Sequence, residues 1–245
     1  MRAFLLIACL MATPARAQTA IERVSPQAAF AGGPIHLTDR AVTRLRAQFH
    51  GDNLPLIPSP FRGRLDTALV AGDWRQIEAT KKSLIQARDL LPVLLWDQTR
   101  FVATGNVALA AAYARDLAGS DVPNAEENAA AMWLYAVAAT FTDGQKCADP
   151  AAREAYLASL LGPDFDAVKG IIRSMPDDRL AAMRETAIKL ENALSTDRTD
   201  ETVCRTVSGR LDAEGQRDVA PTRTMLPQHL KAICSVVRAK GVKRQ

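Results

Sequence analysis

Apolar residues recur with a helical period along most of this chain, and most densely between residues 106 and 149. Leu109, Tyr113 and Leu117 step by four, Val107 and Ala110 widen the same stripe, and Arg115 and Asp116 are the only charges before Gly119-Ser120-Asp121 breaks the pattern. A second helix is predicted from Asn124, a candidate N-cap, with Glu126 and Glu127 in its first turn complementing the helix dipole. From Ala129 to Ala139 no residue is charged or strongly polar. A helix apolar on every side is buried on several sides, and this run falls well short of the roughly 20 residues that span a bilayer. A tight helical pair with other segments packed around it is the expectation.

The flanking regions also read as helices. Residues 18–35 are irregular, with Pro26, Gly32-Gly33 and Pro34 as breakers, and a short helix over 40–50 places Val42, Leu45 and Phe49 inward. Pro55, Pro58 and Pro60 form a stiff, extended link, so residues 18–60 are assigned to an N-terminal arm and 61–245 to a helical domain. Within that domain Leu65 and Leu69 mark one helix ended by Gly72. Asp73 caps the next, with Trp74, Ile77, Leu84 and Ala87 inward, and Pro92 opens a third. Asp149-Pro150 is a cap followed by an N-terminal proline. Phe165, Val168, Ile171 and Ile172 make a short helix stopped at Pro176. Asp177-Asp178 then opens an amphipathic helix whose Leu180, Met183, Ala187, Leu190 and Leu194 follow the spacing of a bundle seam. Residues 213–226 read as a loop, and a last helix starts at Gln228. No alternating strand pattern occurs, so the fold class is all-α, built as stacked antiparallel helical hairpins or an irregular helical array.

Tyr113, Val122-Pro123, Ala131, Trp133, Tyr135 and Ala138-Ala139 together resemble one unit of the Sel-like class of tetratricopeptide-like repeats. Two departures stand out: Leu134 separates the Trp from the Tyr, and Gly119-Ser120-Asp121 replaces a Gly-rich turn. The phrase Ala68-Leu69…Gly72-Asp73-Trp74 resembles a tetratricopeptide hairpin turn. The loop from Asp143 to Pro150 is similar to one in exported Gram-negative proteins, and that resemblance carries no activity with it. The repeat resemblance implies an array that binds a protein or peptide.

Charge and cysteines shift the picture toward the cell envelope. Arg2, an apolar run from Ala3 to Ala12, and Ala15-Arg16-Ala17 form a secretory signal peptide over residues 1–17, with cleavage expected before Gln18. Leu6-Ile7-Ala8-Cys9 also matches a lipoprotein box, though with a leader too short for normal use. Losing a leader that carries Arg2, Arg16 and no acid lowers the formal charge from +4 to +2, which gives no reason to expect a nucleic-acid partner. No other stretch is apolar enough for an integral membrane span. Cys147, Cys204 and Cys234 remain, and a periplasmic or secreted location favours one disulfide and one thiol. Cys147–Cys204 is the expected pair, with Cys234 as the alternative partner of Cys147; closing such a loop stabilises by about 3–4 kcal/mol in the chain-entropy account.

Chemistry is sparse. His36, His50 and His229 stand in no known frame, no zinc-type cysteine or histidine spacing occurs, and no nucleophile-elbow or phosphate-loop motif is present, so no catalytic residue, metal or cofactor is assigned. The acidic pairs Glu126-Glu127 and Asp177-Asp178 sit at helix starts, where dipole compensation accounts for them. Two functions are therefore expected: a periplasmic helical scaffold binding a protein or peptide through an apolar or aromatic groove beside Tyr113 or Trp96, or an envelope enzyme acting on cell-wall glycan with a carboxylate in a helical cleft.

Overall fold

A computed structural model describes residues 59–86, 90–122, 124–195, 198, 201–204 and 219–242, and the structural statements below concern these residues. The leader, the 40–50 helix, the Pro55 and Pro58 link, Ala87 and most of the 213–226 loop lie outside them. The described fold is all-α. In chain order the helices are α1 (Ser59–Ala71), α2 (Trp74–Gln86), α3 (Leu90–Thr104), α4 (Val107–Ala118) and α5 (Ala125–Asp143). They continue with α6 (Ala151–Leu160), α7 (Asp166–Ser174), α8 (Asp177–Leu194), α9 (Glu201–Cys204) and α10 (Ala220–Val242), and a single 3-10 turn (Pro163–Phe165) leads into α7.

The apolar run predicted to be central is central. Every residue of α5 from Ala129 to Thr140 is buried, and α5 touches α4, α6, α7, α8, α9 and α10. Alanines at 129, 130, 131, 136, 138 and 139 keep its surface smooth enough for helices to approach from several sides, while Trp133 and Tyr135 fill the wider gaps. The α4–α5 contact is the most extensive in the molecule, and α1 through α4 pack in succession, each on the next. The α8 seam is buried as its spacing predicts, from Leu180 through Met183, Ala187 and Leu190 to Leu194.

Local signals account for most boundaries. Asn106 caps α4, its Oδ1 accepting from the amides of Ala108 at 2.9 Å and Leu109 at 3.1 Å. Asp73 accepts from the Gln76 amide at 3.0 Å, and Asp149 from the Ala151 amide at 2.8 Å. Asn124 stands at the start of α5 but makes no capping hydrogen bond, because it adopts a left-handed conformation with φ of 58°. The last helix also begins earlier than its pattern implies, at Ala220 rather than Gln228. Pro221 falls in its first turn, where no amide donor is required. Pro227 removes one internal hydrogen bond, yet the buried Leu226 and Leu230 on either side hold the helix against the core.

Candidate functional site

Two clusters of charged side chains lie inside this helical core. The first is built around Arg198, which reaches inward from the segment between α8 and α9. Its guanidinium forks onto Asp143, Nε donating to Oδ2 at 2.8 Å and Nη2 to Oδ1 at 2.9 Å. Nη2 also donates to Glu191 Oε1 at 2.9 Å and to Thr142 Oγ1 at 3.1 Å, and Nη1 reaches the Tyr135 hydroxyl at 3.4 Å. Thr142 donates to the same Glu191 oxygen at 3.0 Å. The side chains of Asp143 and Glu191 are wholly buried. Burial alone would oppose the charge on Arg198, but Tyr135, Asp143 and Glu191 outweigh it and raise its pKa. Further positive charge arrives from Arg223, 3.3 Å from Glu191 Oε2, and Lys146, 3.6 Å from Asp143 Oδ1. Two carboxylates are thus met by three cations.

Covalent and backbone constraints surround this cluster. Cys147 and Cys204 form a disulfide with Cα atoms 5.2 Å apart, closing a separation of 57 residues and tying the loop after α5 to α9. Cys234 is a buried free thiol whose pKa is pushed up by burial. Tyr135 donates to the Gly105 carbonyl at 2.5 Å. Gly105 has φ of +61°, and a Cβ there would lie 2.9 Å from the Leu194 carbonyl and 3.0 Å from Arg198 Cγ, so only glycine fits the turn between α3 and α4.

The second cluster joins α2, α3 and α4. Lys81 Nζ lies 3.0 and 2.8 Å from the two carboxyl oxygens of Asp97 and 2.6 Å from Asp116 Oδ2. The Asp116 contact is an ion pair with this ammonium. Arg115, one residue along α4, is turned outward onto Glu78 at 2.7 Å, with only a 3.8 Å approach to Asp116. Burial, reinforced by the charge of Asp116, pushes Asp97 up to about 8 despite Lys81. Burial opposes the charge of Lys81 too, but its two carboxylates prevail and its pKa is raised.

Trp96 and Tyr113, expected beside a binding groove, are fully buried and belong to this corner of the core. Trp96 Nε1 donates to Asp66 at 2.9 Å, beside the fork of Arg100 on the same carboxylate. The Tyr113 hydroxyl and Asp116 Oδ2 are the two buried side-chain oxygens without a hydrogen-bond partner among the described residues. Burial, then the charge of Asp97, holds Tyr113 well above its ordinary pKa. The acidic pairs act as helix-start charges: Glu127 accepts from Arg179 at 3.0 Å, and the hydrogen bond from Arg238 lowers the pKa of Asp177.

The surface offers a different feature. On α10, Met225 and Val236 are 42% and 43% exposed. Between them the His229 ring stacks on Phe141, centroids 4.3 Å apart. All four Lys and Arg residues of α10 come without a single acid on the helix. Arg223 and Arg238 bond inward, whereas Lys231 is exposed. Among the described residues no group of His, Cys, Asp and Glu is arranged to hold a metal ion, and no helix is long and apolar enough to cross a membrane. Comparison with protein-family models, curated proteins and solved structures finds no match.

Proposed function

We propose that this chain is an exported, periplasmic helical scaffold that binds a protein or peptide partner and performs no catalysis of its own. The carrying observation is the outer stripe of α10, where Met225, the Phe141–His229 stack and Val236 share one face of a helix that carries an exposed lysine on its other flank and no acid. Such a face suits an acidic peptide with apolar anchors. The disulfide is compatible with an oxidising compartment, and the Arg198 cluster braces the helices behind the stripe. A photo-crosslinking residue placed at Met225 or Val236 of the exported protein tests the reading. A discrete adduct that is lost on Lys231→Glu supports it. Adducts from neither position, or equally from the exposed Val70 on α1, contradict it.

One observation favours the second reading, an envelope enzyme acting on cell-wall glycan. Asp97 combines a carboxyl pushed up to about 8 with aromatic neighbours, as a general acid requires. Its carboxyl is closed off in the core, however, where no substrate touches it. Glycan cleavage by the wild type that vanishes in Asp97→Asn would overturn the scaffold reading in favour of this one.

A further inference from the structure

The corner where α2, α3 and α4 meet holds an arrangement that a scaffold does not require. Lys81 is its only fully enclosed cation, yet two carboxylates stand within 3.0 Å of its Nζ. Arg115, the nearest other cation, spends its guanidinium on Glu78 at the surface and approaches Asp116 only to 3.8 Å. With every group charged, the cluster carries one negative charge too many in a region where Asp97 has no solvent contact. A low-dielectric interior strongly disfavours an unmatched charge. The Tyr113 hydroxyl, on the same face of α4 as Asp116 and one turn before it, is also buried and lacks a hydrogen-bond partner. The charged groups that act on Asp97 are Lys81 from α2, and Asp116 with, more weakly, Arg115 from α4.

We propose that Asp97, enclosed by Lys81, Asp116 and Tyr113, is a proton-binding site, and that loss of its proton loosens the corner formed by α2, α3 and α4. The ligand is the proton itself. Bound, it makes the cluster neutral, with Lys81 balanced by Asp116. Released, it leaves two buried carboxylates on one ammonium, and the repulsion is relieved by parting the helices that carry them. Asp116 forms the outlet, since its side chain retains 10% exposure beside Arg115.

The direction of the pH effect follows from burial. An ordinary aspartate has a pKa of 3.8, whereas in the folded chain Asp97 is raised to about 8. The folded state therefore holds this proton more tightly than the unfolded chain. The resulting stability is fully present in acid below the ordinary value and is lost as the pH rises through about 8. One group of this kind raises the unfolding equilibrium constant by up to about tenfold for each pH unit crossed between those limits.

The test uses the full chain with its disulfide intact. Aspartate-selective carboxyl labelling, read by 13C nuclear magnetic resonance, should show one carboxyl titrating between pH 7 and about 9, and that resonance should be missing from Asp97→Asn. Denaturant unfolding of the wild type should become easier from pH 6 to 9, and Asp97→Asn, which keeps the shape without the proton, should flatten that dependence. The proposal is overturned if all aspartate carboxyls are already ionised at pH 6, or if wild type and variant give parallel pH profiles. Should Asp97→Asn fail to fold, the wild-type titration decides alone.

Discussion

The two buried charge clusters are made of similar parts, but their charge balance differs. Around Arg198, the carboxylates of Asp143 and Glu191 are met by one enclosed guanidinium and by Arg223 and Lys146 at its margins. Around Lys81, Asp97 and Asp116 share a single enclosed ammonium. Their tyrosines differ in the same sense: the Tyr135 hydroxyl donates to Gly105 and accepts from Arg198, while the Tyr113 hydroxyl has no partner. Burial alone thus does not decide what a charged cluster does. A matched cluster acts as a permanent clasp, and one short of a cation responds to the proton concentration around it.

Breaking the matched cluster should have the largest effect. Arg198→Met leaves Asp143 and Glu191 facing each other without their main cation, and should lower stability by about 3–5 kcal/mol in denaturant unfolding. A loss below ~1 kcal/mol would mean that Arg223 and Lys146 suffice. Next in size is the disulfide beside it. Replacing Cys147 and Cys204 together by serine should cost about 3–4 kcal/mol, visible as a lower unfolding midpoint. The tyrosines offer a finer contrast. Tyr135→Phe orphans the Gly105 carbonyl and should cost about 1–3 kcal/mol, whereas Tyr113→Phe removes an oxygen that has no partner and should be neutral or stabilising. Equal losses from both would show that the Tyr113 hydroxyl is bonded in solution. Smallest of all, Glu78→Ala breaks a surface ion pair with Arg115 and should change stability by less than ~1 kcal/mol.

Much of the fold was legible in the sequence, because burial on all sides leaves a plain mark. The uncharged run from Ala129 to Ala139 is the hub, the seam from Leu180 to Leu194 faces inward, and Asp73 and Asp149 cap as their positions suggest. The start of α10 was hidden by Pro221 and Pro227, which look like breakers until Leu226 and Leu230 are seen on the core. Cysteine chemistry was half legible: Cys147 needed a partner, and the packing of α9 on α6 brings Cys204 rather than Cys234 to it.

The charged clusters were harder to see. Asp97 directly follows the apolar run Val93 to Trp96 on α3, and Glu191 lies beside the inward seam of α8, so each left a faint signal: a charge where the pattern calls for an apolar side chain. Lys81 left a similar mark, in step with Ile77 and Leu84 on α2, whereas Asp143 and Arg198 left less, one at a helix end and the other in a loop. Their meeting depends on tertiary contacts between residues as far apart as the 55 positions separating Asp143 from Arg198. Trp96 and Tyr113 were placed on a surface because aromatics often mark binding grooves. Their burial follows from standing on the stripes that α3 and α4 turn toward the core.

The contrast between the clusters is tested most directly by amide hydrogen exchange on the full, oxidised chain at pH 6 and pH 9, corrected for the intrinsic pH dependence of exchange. The account predicts that protection falls at pH 9 in α2, α3 and α4 around Lys81 and Asp97, while the end of α5 and of α8 around Asp143 and Glu191 stay protected. Equal loss in both regions, or loss confined to the Arg198 cluster, would contradict it.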